Sequence, residues 1–164
     1  MNEKFLHIVS FNIPYPPNYG GIIDIFHKIR HLHDNGIKII LHCFVYDRSP
    51  DQELEYFCHK IFYYNRETTF RAHFSILPYI VRSRKSTELL RNLVSDPYPI
   101  LFEGFHTCYY LWHPALKNRN KIVRMHNIEH QYYFKLGTRE KKIPYKIFLF
   151  IESLKLRLSF KLLK

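Results

Sequence analysis

The sequence predicts an α/β protein built on an open, mostly parallel sheet with helices on its faces. Three observations carry this. Apolar runs containing β-branched residues alternate with helix-period segments along the whole chain, and these runs suit strands covered on both sides. The 164 residues and a 46% hydrophobic share fit one compact core.

Residues 4–10 and 37–46 (IKIILHCFVY) are the first two such runs. Between them Ile22, Ile25, Phe26, Ile29 and Leu32 recur at three- and four-residue steps, while Lys28, Arg30, His31 and Asp34 fall elsewhere. Asn35-Gly36 supplies the helix stop. Strand, helix and strand in that order imply parallel pairing with a right-handed crossover. Residues 61–65 form the next strand. Residues 86–95 form a helix, with Ser86 as cap and Leu89, Leu90 and Leu93 inward. Residues 99–104 (PILFEG) read as a buried strand, and 106–117 as helical until Pro114 interrupts. Residues 121–125 are a fifth strand after the turn Asn118-Arg119-Asn120. Helices over 128–140 and 144–164 close the chain. With no repeat, low-complexity tract or linker, residues 1–142 read as one Rossmann-like domain, and 143–164 as a basic amphipathic helix of the same domain. On that helix Ile147, Phe150, Ile151, Leu154 and Leu158 lie near one face, with Lys146, Lys155, Arg157, Lys161 and Lys164 mainly elsewhere. Its apolar stripe is expected to pack on its own domain or a neighbour, and a helix of this kind also suits an anionic bilayer.

Lys+Arg 25 against Asp+Glu 14 leave a formal charge of +11, which favours acidic partners without naming one. A 24% charged, 46% hydrophobic composition excludes disorder and fibrous repeats. No RNA- or DNA-binding motif is recognisable. Cys43, Cys58 and Cys108 are odd in number and widely spaced, which argues against a disulfide framework or a zinc ribbon. The N-terminus lacks the apolar centre of a signal peptide, and no apolar run approaches the ~20 residues of a spanning helix. The expectation is a cytoplasmic protein able to touch the inner face of a membrane.

Ligands of such sheets sit at the carboxyl ends of the strands. There the loop FNIPYPPNYGG, stiffened by Pro14, Pro16 and Pro17, passes Asn18 and Tyr19 and ends in Gly20 and Gly21 where a helix starts. Free N–H groups and the positive helix end make that point suited to phosphate; an unliganded tight turn is the plainer reading. The loop is neither G-x-G-x-x-G nor G-x-x-x-x-G-K-[ST]. A second segment runs Arg124-Met125-His126-Asn127-Ile128-Glu129-His130. Its spelling H-x-x-E-H matches an inverted zinc-protease motif, but that motif needs both histidines in one helix, and His126 falls at a strand end. His126 is therefore either an ordinary hydrogen-bonded histidine or a polar group aimed at a ligand. Glu103, closing an apolar strand near His106, would bring a carboxylate to the same edge, alternatively as a salt bridge to Arg124 or a lysine. His27 and His31 lie one helical turn apart without a third ligand, so no metal site is expected.

The stretches LHIVSFNIPYPPNYGG, GIKIILHCFVY, PILFEGFHTCYYL and KIVRMHNIEHQYY together resemble the N-terminal domain of retaining GT-B glycosyltransferases of the family-four, or group 1, kind. The likeness covers nearly the whole chain and rests on the proline-rich double-glycine loop and on R-x-H-N-x-E-x-x-Y (Arg124, His126, Asn127, Glu129, Tyr132). The resemblance implies transfer of a sugar from a nucleotide-sugar co-substrate to a glycan or lipid-linked acceptor in polysaccharide biosynthesis, with no further cofactor and no metal. It places Gly20 and Gly21 at the donor diphosphate and His126 at the transferred sugar, with Glu103 as its companion in catalysis. Asn18, Tyr19, His106, Arg124, Asn127 and Glu129 are cleft or acceptor candidates. Relatives of this kind carry a second, donor-binding domain that this chain lacks, so a truncated enzyme or one half of a split one is expected, with little transfer from the chain alone. The alternative is a non-catalytic module derived from such a domain, binding membrane or protein through its last helix.

Overall fold

A computed structural model describes residues 3–161, the side chains of residues 70, 71 and 161 apart. In chain order the elements are β1 (Lys4–Ser10), α1 (Gly20–Asp34), β2 (Ile37–Val45), α2 (Glu53–Phe57), β3 (Lys60–Asn65), α3 (Phe70–His73), α4 (Tyr79–Arg82) and α5 (Thr87–Val94). They continue with β4 (Ile100–Glu103), 3₁₀ turns over Phe105–Tyr110 and Pro114–Leu116, β5 (Lys121–Arg124), α6 (Glu129–Arg139) and α7 (Ile143–Lys161). The strands form one sheet in the order β3-β2-β1-β4-β5, and all four pairings are parallel. The expected Rossmann-like open sheet is therefore present, and entirely parallel among the described residues.

Alternation along the central strands divides the core into two layers. Ile8, Ile39, Leu41, Cys43 and Leu101 meet Ile25, Phe26 and Ile29 of α1 and Leu54 of α2. Val9, Phe44, Tyr64, Ile100 and Phe102 meet Ile80, Leu89, Leu93 and the turn after β4 on the other face. Gly36 ends α1 at φ 76°, a conformation glycine adopts without strain. Ser86 caps α5 as expected, its hydroxyl accepting from the Leu89 amide at 3.2 Å. Pro114 breaks the stretch after β4 into two 3₁₀ turns where one interrupted helix was expected.

A polar thread crosses the second layer. The Asn92 amide donates to the Tyr64 oxygen (2.9 Å), the Tyr64 hydroxyl to His42 Nδ1 (2.8 Å), His42 Nε2–H to His7 Nδ1 (2.8 Å), and His7 Nε2–H to Asp96 (2.8 Å). With both imidazoles neutral every atom is satisfied, so a chain of side-chain bonds can cross an apolar layer.

The last helix departs from expectation. Leu149, Glu152, Ser153 and Leu156 face inward, with Glu152 accepting from the Tyr79 amide (2.6 Å) and the Ser153 hydroxyl donating to the His130 carbonyl (2.7 Å). Of the face expected to pack, Phe150 does so, against Gly137 and the Phe134 ring of α6 (centroids 5.4 Å apart), whereas Ile147, Ile151, Leu154 and Leu158 lie outward and are each at least half exposed. A few well-placed polar anchors decide the rotation of the helix against its most apolar face. The expected helix end at Lys164 lies outside the described residues.

Candidate functional site

The carboxyl edge of the sheet gathers a compact group of charged side chains around two glycines. Tyr19, preceding α1, has extended backbone and offers no side-chain cap, so the first amides of the helix keep their N–H groups free of side-chain partners. Glu103 at the end of β4 is fully buried. One of its oxygens accepts from Lys28 Nζ of α1 at 2.5 Å and the other from His126 Nε2 at 3.0 Å. Arg124 at the end of β5 does not reach Glu103. It forks instead onto Asp24 of α1, with two bonds of 2.9 Å, and these bonds, with help from Lys28, hold the Asp24 carboxyl down at about 2. His126 Nδ1 lies 3.6 Å from Asp24.

The glycines let these groups converge. A Cβ on Gly21 would lie 3.0 Å from the Phe11 ring and 3.8 Å from His126 Nδ1. Gly104, at φ 76°, would place one 3.1 Å from His106 Nδ1 and 3.4 Å from the His126 ring. Phe11 packs edge-on against His126, with ring centroids 5.7 Å apart, and lies 5.2 Å from the His106 ring. Gly20 faces open space. Gly21, Gly104, Phe11, His106 and His126 thus share one rim.

The remaining sequence candidates surround it. Asn18 is tied to Arg48, whose guanidinium also lies over the Tyr19 ring. Asn127 is exposed, in the loop before α6. Glu129, on the first turn of α6, is buried with Oε1 unpartnered, and burial pushes its carboxyl above the ordinary range. The H-x-x-E-H spelling straddles the loop and the helix start, and His130 faces Phe160 rather than His126. Asp24, Glu103 and His126 do bring three ligand atoms within 4.8 Å of one another, but Lys28 and Arg124 already occupy both carboxylates. The chemistry of that set is an ion-pair lattice rather than a cation cradle.

Five side chains of this edge were not singled out in the sequence: Phe11, Asp24, Lys28, Arg66 and Arg84. Asp24 and Lys28 left a readable trace, opposite charges four residues apart on the helix that follows the glycines. The other three carried no local signal, because loop and turn geometry alone brings them inward. Arg66 and Arg84 line a cleft of about 530 Å³ beside the rim, which His106, Phe11 and Asn12 border from the sheet side and α6 and α7 from the other.

Fold and edge together define a Rossmann-like α/β domain with an uncapped helix start facing a carboxylate-held histidine. No family model matches the chain, and no solved structure matches it. The chain is similar to an uncharacterized 44.6 kDa protein in the cps region of Klebsiella pneumoniae, 31% identical over 154 residues. The match takes in 90% of this chain and 39% of that protein, so the chain spans about two fifths of its relative's length. Among the described residues no helix is long and apolar enough to cross a membrane.

Proposed function

We propose that this chain is the acceptor-side half of a nucleotide-sugar-dependent glycosyltransferase of polysaccharide biosynthesis. The observation that carries the reading is the approach of the Gly21 backbone to the His126 imidazole on the carboxyl edge of a parallel sheet. The relative's place in a cps region supports the same direction. In this reading the free amides that open α1 stabilise negative charge as it develops on the diphosphate leaving group. His126 Nδ1 faces the transferred sugar. Glu103, with no exposed surface, acts as a positioning residue: it accepts from Nε2 and fixes the ring. The acceptor is a glycan or a lipid-linked glycan, and a second unit contributes most of the nucleotide contacts.

The test is a titration of the chain with UDP and GDP followed by amide chemical shifts. Millimolar binding with shifts at Gly20, Gly21, Ile22 and His126, lost in Gly21→Arg, is expected; no shift at this rim overturns the reading. Transfer by the chain alone from UDP- or GDP-sugars is expected to be negligible, and robust turnover would refute the half-enzyme assignment.

A second reading, a membrane-docking module, is favoured by the outward stripe Ile147, Ile151, Leu154 and Leu158 with exposed Lys141, Lys142 and Arg157 on or beside α7. Sedimentation with anionic but not zwitterionic vesicles, abolished by Ile151→Asp with Leu154→Asp, supports it; equal binding to both vesicle types refutes it.

A further inference from the structure

The cleft beside the rim is charged in an unbalanced way. Arg84 is buried, and its five N–H donors are only partly used: Nε and Nη2 donate to the Phe11 carbonyl (3.3 and 3.1 Å) and Nη1 to the Ile80 carbonyl (2.6 Å). Arg66 donates from Nη2 to the Ser83 hydroxyl (3.1 Å), lies 4.6 Å over the Tyr46 ring and 5.9 Å over that of Tyr79, and leaves Nε buried without a partner. Among the described residues no carboxylate pairs with either guanidinium, and the acid of this edge that Arg84 affects, Glu129, does not line the cleft. Burial and the neighbouring Arg66 charge push Arg84 down to about 9. Two cations in one cleft without a directly paired carboxylate are costly to hold: Glu129 acts on Arg84 only from outside the lining, and Glu152 is already engaged by the Tyr79 amide and Lys155.

We propose that this cleft binds a phosphoryl group of the acceptor, held between Arg66 and Arg84 with the attached sugar or alkyl chain against tyrosine rings. A dianionic phosphoryl group compensates both guanidiniums at once, whereas a single carboxylate leaves one unpaired. Backbone carbonyls fix the Arg84 fork before any ligand arrives, which limits the ordering cost of binding. The volume of about 530 Å³ accommodates a phosphate with one or two sugar rings. Tyr132 and Tyr145 stand half-exposed in the lining, suited to sugar faces or to hydrocarbon. Phe11 and His106 belong to both the cleft and the rim, so a group held here lies beside His126. Assigning the ligand to the acceptor rests on the transferase reading; binding of the anion does not.

Calorimetric and amide-shift titrations of the chain with inorganic pyrophosphate and with glucose 1-phosphate test this, and phosphatidylcholine vesicles with and without polyprenyl phosphate form the lipid arm. Expected are shifts at Arg66, Ser83 and His106, and at least a tenfold weaker association in Arg66→Gln. Arg91→Gln, an equal loss of charge on the exposed side of α5, should leave affinity unchanged. Stronger binding in the soluble arm identifies a free sugar phosphate, and stronger binding in the vesicle arm a lipid-linked one. Absence of binding in both arms, or an equal effect of the two substitutions, overturns the proposal. If pyrophosphate fails while UDP still shifts Gly21, the cleft assignment falls and the transferase reading stands. The reverse pattern removes the transferase reading and leaves an anion site.

Discussion

Mild acid should weaken this fold through its buried imidazoles. His42 is wholly enclosed, and burial lowers its pKa well below the ordinary value, with the charges of His7 and Lys60 adding to the effect. His106 is lowered in the same way, by desolvation first and then by Arg84 and Arg66. In the unfolded chain each ring titrates near ~6.5. Because the folded values lie below the unfolded ones, the unfolded state takes up protons first. Stability is therefore complete above pH ~7 and declines as pH falls through ~6.5 towards the folded values. At pH 5.5 each ring that stays neutral in the fold costs about 1.4 kcal/mol, or about 2.8 kcal/mol for His42 and His106 together. His7 adds a smaller amount, since Asp96 offsets part of its burial. With a urea slope of roughly 2 kcal/mol per molar, the unfolding midpoint should drop by up to about 1.4 M between pH 7.5 and 5.5, reduced by the buried Glu129 carboxyl, whose raised value favours the fold on acidification. Within this window Asp24, lowered to about 2, does not titrate. Urea melts at three pH values, repeated for His42→Gln, measure the effect; Gln keeps hydrogen-bonding capacity without the titration. The variant should lose about half of the pH dependence whatever its absolute stability. A wild-type midpoint independent of pH, or an unchanged slope in His42→Gln, refutes the argument.

Two further outcomes follow from single contacts. Glu103→Gln leaves Lys28, four-fifths buried, and His126 without their shared carboxylate. The expected loss is about 2–3 kcal/mol, read as a fall of several degrees in the melting midpoint, with faster exchange of the His126 Nε2 proton by NMR. Ser86→Ala removes the α5 cap and should cost about 1 kcal/mol in urea melts, with recovery in Ser86→Asp.

Much of the scaffold was legible because apolar runs covered on both sides have few other uses. The first apolar run coincides with β1, and the other four match their strands to within one residue at either end. What escaped was set by tertiary contacts. The helices α2, α3 and α4 are four or five residues long, too short for a helical period to show against the loops around them. The rotation of α7 is not legible from hydrophobicity, which points to Ile147 and Leu154, whereas Glu152 and Ser153 find backbone partners inside. At the site, Glu103 and His126 stand out in the sequence as polar residues at strand ends, and Gly21 as a glycine opening a helix. Arg66 and Arg84 did not, since an arginine in a loop reads as solvated until the chain folds over it.

The lattice of Asp24, Lys28, Glu103, Arg124 and His126 has a mechanical consequence. It bolts the first turns of α1 to the ends of β4 and β5 from both sides. Helix and strands therefore travel as a single rigid plate when anything closes over this edge. The spacing between the Gly21 backbone and the His126 ring is then a constant of the fold rather than a variable that a ligand must set.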